Sequence, residues 1–186
     1  YYSSPIQVGS NTNWKYVSSG QFNTSAIKTD GTLWTCGRND YGQLAIGTSG
    51  TANVSSVVQV GTLTNWKQVS TGGLMVLATK TDGTLWSCGY NGEGQLGNGT
   101  IINYSSPIQV GTLTSWKLVA CGYDNVSMIK TDGTLWSCGY NLQGESGVGN
   151  AVSYASPVQV GTLTNWKQIS SKNQFMMGIS SPDLPA

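Results

Sequence analysis

The stretch TDGTLWSCGYN at Thr81–Asn91 decides the fold, because it recurs letter for letter at Thr131–Asn141. A near copy, TDGTLWTCGRN, occupies Thr29–Asn39. A catalytic or binding site rarely needs three copies in one chain, whereas repeat architectures are built from copies of one unit. The repetition therefore indicates how the chain is built rather than what it binds or converts.

Two further phrases recur with the same period. Variants of SSPIQVG begin at four positions: Ser3, Ser55, Ser105 and Ala155. The phrase NWK or SWK places a tryptophan at Trp14, Trp66, Trp116 and Trp166, with spacings of 52, 50 and 50 residues. A period of about 50 residues is typical of propeller blades and of long solenoid repeats.

The Asp-Gly pair inside each copy is a strong signal for a β-hairpin, because a tight turn needs residues that accept positive φ. A two-residue type I′ turn centred on Asp82 and Gly83 predicts that Thr79 faces Trp86 across the hairpin. The same register in the other copies would pair Ile27 with Trp34 and Ile129 with Trp136. Such β-branched and aromatic pairs stabilise neighbouring strands.

Two more strands fit each unit, WKxVS before the hairpin and SPxQVG after it, and no helical periodicity competes with them. We therefore predict an all-β fold of β-propeller blades, each with four antiparallel strands. The chain holds about three and two-thirds such units. Their predicted bounds are 1–13 for a partial leading unit, 14–65, 66–115 and 116–165 for three repeats, and 166–186 for a partial final repeat.

The combination of IKTDGTLW, CGYNGEGQLGNGT and SSPIQVG resembles the regulator of chromosome condensation repeat, especially near-consensus bacterial, phage and environmental copies. The resemblance covers nearly the whole chain and implies a propeller of seven blades in complete members. Known roles in that family include nucleotide exchange on a small GTPase and inhibition of an enzyme. A family histidine is replaced in the four units by Asn23, Met75, Asn125 and Phe175.

The composition excludes several functions. Only 9% of the 186 residues are charged, the net charge is +1 and histidine is absent. This balance does not favour nucleic acid as a partner, and no apolar run approaches the ~20 residues of a membrane helix. A Ser-His-Asp site cannot be formed, and we predict no catalytic residue, cofactor or metal site. The repeat accounts for most charges as solvated positions, among them Lys28, Lys80 and Lys130.

The chain contains four cysteines, and Cys36, Cys88 and Cys138 occupy equivalent places in successive units. Equivalent positions in neighbouring repeats lie farther apart than the ~7 Å that a disulfide allows between Cα atoms. We therefore predict small buried apolar residues rather than disulfides at these positions. The sequence leaves the redox state of these three residues and of Cys121 open.

Candidate contact residues lie where the copies differ. The first long loop is two residues longer than its counterparts and contains Arg38, Asp40 and Tyr41, unlike charges beside an aromatic ring. A second variable loop contributes Tyr123 and Asp124. Arginine and tyrosine are favoured in protein interfaces. We predict that these five residues contact a partner; the alternative is an ordinary solvated loop.

The function predicted from these features is a non-enzymatic propeller scaffold or protein-interaction module, extracellular or on a virus particle. The alternatives are a regulatory binding protein that resembles an exchange factor or an enzyme inhibitor, and an enzyme with a site in the central channel. Because the final copy lacks the Asp-Gly turn and has Pro182 there, we also expect unpaired ends. Another chain would complete them by self-association, unless the sequence is part of a longer propeller.

Overall fold

A computed structural model describes residues 4, 7, 9–50 and 53–181, and this part of the chain contains β-strands and no helix. The bounds of the strands, in chain order, are β1 Trp14–Ser19, β2 Asn23–Lys28, β3 Leu33–Gly37, β4 Val54–Gln59, β5 Trp66–Thr71, β6 Met75–Lys80, β7 Leu85–Gly89, β8 Tyr104–Gln109, β9 Trp116–Cys121, β10 Asn125–Lys130, β11 Leu135–Gly139, β12 Tyr154–Gln159, β13 Trp166–Lys172 and β14 Phe175–Ser180.

The strands form separate antiparallel sheets in which neighbours along the chain are neighbours in the sheet. β1–β4, β5–β8 and β9–β12 make three four-stranded blades, and β13 and β14 make a two-stranded fourth blade. The first strand of each blade packs on the first two strands of the preceding blade, so the first strands surround a common axis. The predicted all-β fold of propeller blades is confirmed.

The hydrophobic core lies between the blades rather than within one sheet. Met75 and Leu77 of β6 pack against Val119, Val126 and Met128 of the third blade. The residues between them, Val76 and Ala78, pack against the first blade. Successive side chains of a strand point to opposite faces, so one strand contributes to two interfaces.

The predicted register of the hairpins is wrong by one residue. Thr79 pairs with Leu85 and Ala78 pairs with Trp86, and the other two copies are shifted in the same way. Lys80 and Thr84 close a three-residue loop, Thr81–Gly83, in which Gly83 has positive φ and Asp82 does not. This is the hairpin that combines a type I turn with a bulge at a left-handed glycine.

Each Asp-Gly turn is also the contact between one blade and the chain that enters the next. The N–H of Trp116 donates to the carbonyl of Gly83 at 3.1 Å, and the N–H of Trp166 donates to the carbonyl of Gly133 at 3.1 Å. A side chain on Gly83 would overlap the carbonyl oxygen of Thr114. The glycine is therefore required both by its φ of +79° and by this close approach.

The repeated phrase also builds a network of polar and aromatic side chains beside the turn. Trp86 Nε1 donates to Thr84 Oγ1 at 2.8 Å, and that hydroxyl donates to Asp82 Oδ1 at 2.6 Å. The Lys80 ammonium lies 3.5 Å from the centre of the Trp86 ring and 4.9 Å from that of Trp66. The same network recurs in the first and third blades.

The prediction that Lys28, Lys80 and Lys130 are solvated is therefore wrong. All three side chains are buried, because their apolar stems lie along the blade and their charges contact the faces of tryptophan rings. Loss of water lowers the pKa of Lys80 and of Lys130.

Two expectations about the ends fall outside the described part of the chain: most of the leading strand at Ser3–Gly9, and Pro182. The bounds predicted for the repeats stay predictions. A helix long and apolar enough to span a membrane does not occur within the described ranges.

Replacement of Gly83 by alanine is expected to destabilise the protein by about 3 kcal/mol or more, because the methyl group meets the Thr114 backbone as well as an unfavourable φ. Gly111 provides the matched control: its φ is +62°, and nothing lies within 4 Å of an added Cβ. Gly111→Ala should cost only about 1 kcal/mol. Urea unfolding measures both values, and equal losses would show that the turn does not hold the next blade.

Candidate functional site

All five candidate contact residues lie at the same end of the propeller. Arg38, Asp40 and Tyr41 follow β3, and Tyr123 and Asp124 lie between β9 and β10. In blades of alternating strand direction, these two kinds of loop share one end, opposite to the Asp-Gly turns. We refer to this end as the loop end.

Buried asparagines hold the long loops at the loop end in shape. Asn91 Oδ1 accepts from the N–H of Leu96 at 2.9 Å, and Asn91 Nδ2 donates to the carbonyls of Thr100 and Ile102 at 2.9 and 3.0 Å. Asn39 and Asn141 hold the equivalent loops through similar bonds. The loops therefore present their remaining side chains from a fixed backbone.

Arg38 is bound on two sides. Its guanidinium forms an ion pair with Asp40 and lies 5.1 Å from the centre of the Phe22 ring. The hydrogen bond to Asp40 raises the pKa of Arg38, and the nearby Tyr41 and Tyr123 contribute to the same shift. The ion pair and the Phe22 ring hold the guanidinium at the surface, where the Arg38 side chain stays 40% exposed.

Two tyrosines from adjacent blades meet beside this ion pair. The rings of Tyr41 and Tyr90 lie 5.1 Å apart at an interplanar angle of 62°, an edge-to-face contact. Burial raises the pKa of Tyr90, and the negative charges of Asp124 and Glu93 raise it further. Tyr90 thus contacts Tyr41 of the first blade and lies within electrostatic range of Asp124 of the third blade.

The Asp124 carboxylate is partly buried and accepts a hydrogen bond from one side chain. Gln95 Nε2 donates to Asp124 Oδ1 at 3.3 Å. Burial raises the pKa of Asp124 to about 6, and the charge of Glu93 adds to the shift. In the preceding blade Leu74 takes the place of Asp124, and the equivalent amide, Gln43 Nε2, is buried without a hydrogen-bond partner within the described ranges.

Tyr123 connects these residues to the axis of the propeller. Its ring lies against Gly73 of the preceding blade, where any larger residue would collide with it. Tyr123 also lines a cavity of about 450 Å³ around the axis, at the ends of the four inner strands. The lining positions Ser19, Thr71, Cys121 and Ser171 are equivalent in the four blades.

The structure thus places the predicted residues at one end of the propeller and adds others. We name as the aromatic rim the six residues Phe22, Arg38, Tyr41, Tyr90, Tyr123 and Asp124. Sequence reasoning missed Phe22, Tyr90, Glu93 and Gln95. Tyr90 was missed because it belongs to the repeated phrase, although the equivalent position in the first blade is Arg38.

Burial raises the pKa of all four cysteine thiols, so none is activated as a catalytic nucleophile. All four are free, and burial raises the pKa of Cys88 and of Cys121 to about 12. Only Cys36 is partly exposed. Across ranges 9–50 and 53–181, no three acidic, cysteine or histidine side chains lie close enough to hold a metal ion.

Comparison with known families identifies the repeat. A model of the regulator of chromosome condensation (RCC1) repeat matches residues 30–78 and 82–129, and a second model of this repeat matches residues 14–43. The chain belongs to the RCC1 repeat family. The resemblance drawn from the repeated phrase is confirmed, while a special closeness to bacterial or phage copies stays a prediction.

Solved structures of other proteins have the same fold. Prp20p from Saccharomyces cerevisiae superposes with a TM-score of 0.80 at 20% identity, over 92% of this chain and 45% of Prp20p. Yeast RCC1 (Prp20) in complex with Kap60 gives the same score and identity over 43% of that chain. Human WBSCR16 gives 0.64 at 16% identity over 58% of its length. The chain therefore spans less than half of the yeast proteins it matches.

The raised pKa of Asp124 predicts a pH-dependent stability. Below about pH 4 the carboxyl is protonated in both the folded and the unfolded chain. Between pH 4 and 6 the unfolded chain releases the proton while the folded chain keeps it, so stability falls as the pH rises.

Asp124→Asn removes this penalty and should stabilise the protein at pH 7.5 by about 1 kcal/mol, after allowance for solvent screening. The difference should vanish as the pH falls below 4. Asp132→Asn is the control with the opposite sign, because hydrogen bonds from Thr134 lower the pKa of Asp132. Urea unfolding from pH 4 to 8 measures both, and a pH-independent effect of Asp124→Asn would contradict the assignment.

Proposed function

We propose that the chain is a non-enzymatic propeller module that binds a protein partner through the aromatic rim. The observation that carries the proposal is the edge-to-face contact of Tyr41 and Tyr90, which come from adjacent blades and lie on loops held in shape by buried asparagines. Preorganised tyrosine and arginine side chains lose little entropy on binding and are frequent hot spots of protein interfaces.

The known relatives support a protein as the class of ligand. Prp20p binds Gsp1p and histones, and yeast RCC1 (Prp20) forms a complex with Kap60. Because the identity is 20% and this chain spans under half of those proteins, none of these partners is carried over.

The charges of the rim favour a partner with a positively charged or hydrogen-bond-donating contact group. Arg38 is neutralised by Asp40, whereas Asp124 and Glu93 lie near each other beside Tyr90. A cation placed among these groups would contact aromatic faces and carboxylates together. The same carboxylates would repel the phosphates of a nucleic acid, which supports a protein partner.

The composition supports a location outside the cytoplasm. Only 9% of residues are charged, so serine, threonine, asparagine and glutamine supply most of the polar side chains. We extend the proposal to a scaffold in an extracellular setting or on a virus particle.

We infer self-association through the open ends of the propeller as a second function. The exposed apolar side chains Phe175, Met177 and Ile179 on the last strand favour it. They form one face of β14, which packs against no further blade in the described part of the chain.

Capture of partners on the immobilised chain tests the rim. The double variant Tyr41→Ala, Tyr123→Ala should bind the captured and purified partner with an affinity at least tenfold lower, as expected for loss of interface hot spots. Leu63→Ala with Leu113→Ala serves as the control, because these exposed leucines lie at the opposite end. Their replacement should leave the affinity unchanged.

The alternatives make different predictions in the same experiment. A single stoichiometric GTPase or enzyme as the captured protein would favour an exchange factor or an inhibitor over a scaffold. A screen of the wild-type chain for hydrolase and lyase activity addresses the enzyme alternative. Turnover that is lost on replacement of Asp124 or Glu145 would overturn the non-enzymatic proposal.

A further inference from the structure

Every blade has two faces, and the internal contacts show which face meets which. The forward face of a blade packs against the following blade and in the second blade contains Met75 and Leu77. The backward face packs against the preceding blade and in the second blade contains Val69, Val76 and Cys88.

The apolar side chains of the forward and backward faces are almost fully buried where two blades meet. Met75 and Leu77 are 0% and 1% exposed, and Val69 and Cys88 are 0% and 2% exposed. The contact between the first and second blades is also pinned near the axis by polar groups. The N–H of Thr71 donates to Ser18 Oγ at 2.9 Å, and Thr71 Oγ1 donates to the Ser18 carbonyl at 3.2 Å.

The two end blades expose the same two surfaces. On the forward face of the fourth blade, Phe175 and Met177 take the places of Met75 and Leu77, and they are 74% and 75% exposed. On the backward face of the first blade, Val17 takes the place of Val69 and is 66% exposed, while Cys36 takes the place of Cys88 and is half-buried.

We propose that the forward face of the fourth blade of one copy packs on the backward face of the first blade of a second copy. The contact repeats the internal blade contact, in which an apolar forward face covers an apolar backward face. The inference rests on the proposed self-association and adds the two surfaces and their polarity. Such a head-to-tail contact closes a ring if the rotation permits and otherwise gives an open chain of copies.

The hydrogen bonds that join Thr71 to Ser18 inside the chain can also form between copies. Ser170 stands in the fourth blade where Ser18 stands in the first, and Ser19 stands where Thr71 stands in the second. The hydroxyl of Ser170 in one copy would therefore accept from the N–H of Ser19 in the other. A partner of unrelated structure would have to supply both an apolar sheet face and this acceptor, whereas a second copy already carries both.

Cys36 reports directly whether its face is covered. In the free chain it is the one partly exposed thiol, whereas Cys88, at the equivalent place in the second blade, is buried by the first blade. A water-soluble maleimide at pH 8 should label Cys36 first. As the protein concentration rises, the mass from light scattering should at least double, and the labelling of Cys36 should slow tenfold or more.

Substitution of either face separates the two surfaces. Met177→Lys and Val17→Lys each place a charge on one exposed face, and each variant alone should stay monomeric with fast labelling of Cys36. Ile101→Lys is the control, because Ile101 is 68% exposed on the loop between β7 and β8, away from both faces. It should associate as the wild type does.

A mixture of the two variants tests the polarity. The intact fourth blade of Val17→Lys can cover the intact first blade of Met177→Lys, so the mixture should form a one-to-one dimer and grow no further. Cys36 should be protected only in the Met177→Lys chain, and mass spectrometry of the intact chains distinguishes the two variants by their different masses.

Three results would overturn the proposal in different ways. A wild-type chain that stays monomeric with constant labelling at all concentrations would overturn both this contact and self-association. Association that survives both lysine variants would keep self-association and overturn these surfaces. Variants that fail to dimerise when mixed, although the wild type associates, would overturn the head-to-tail polarity.

Discussion

The fold depends on the close approach of each Asp-Gly turn to the chain that enters the next blade. Gly83 accepts the N–H of Trp116 on its carbonyl, and its missing side chain makes room for the Thr114 backbone. The same approach occurs at Gly31 and Gly133. The turn therefore closes a hairpin and positions the following blade at once. These two structural roles explain why the phrase around the turn is repeated almost without change.

Much of the fold could be predicted from the sequence, because the repeat period and the Asp-Gly turns are local signals. The register could not, because Asp-Gly suits both a two-residue turn and a three-residue turn with a bulge. The structure has the three-residue turn with the bulge, in which Asp82 keeps a negative φ and its carboxylate accepts two hydrogen bonds from Thr84. The lysines were misplaced for a related reason, since their environment is made by two tryptophans twenty residues apart.

The candidate site was predicted only in part, and the reason lies in how variation was interpreted. Arg38, Asp40, Tyr41, Tyr123 and Asp124 differ between copies, so they attracted attention. Tyr90 is part of the verbatim phrase and was assigned to the architecture. Its contact with Tyr41 arises because the first blade has a tyrosine at the position where the second and third blades have Glu93 and Gln143. A contact in a repeat protein can thus join a residue of the repeated phrase to a residue that differs between copies.

The exchangeable faces of the blades have a consequence for how such chains change in evolution. Because every internal boundary joins a forward face to a backward face, gain or loss of one unit of about fifty residues creates no new kind of boundary. Unequal recombination between nearly identical segments could therefore lengthen or shorten the array while each new product still folds locally. What the boundaries leave unspecified is the total number of blades, so selection on that number must act through the curvature of the whole array.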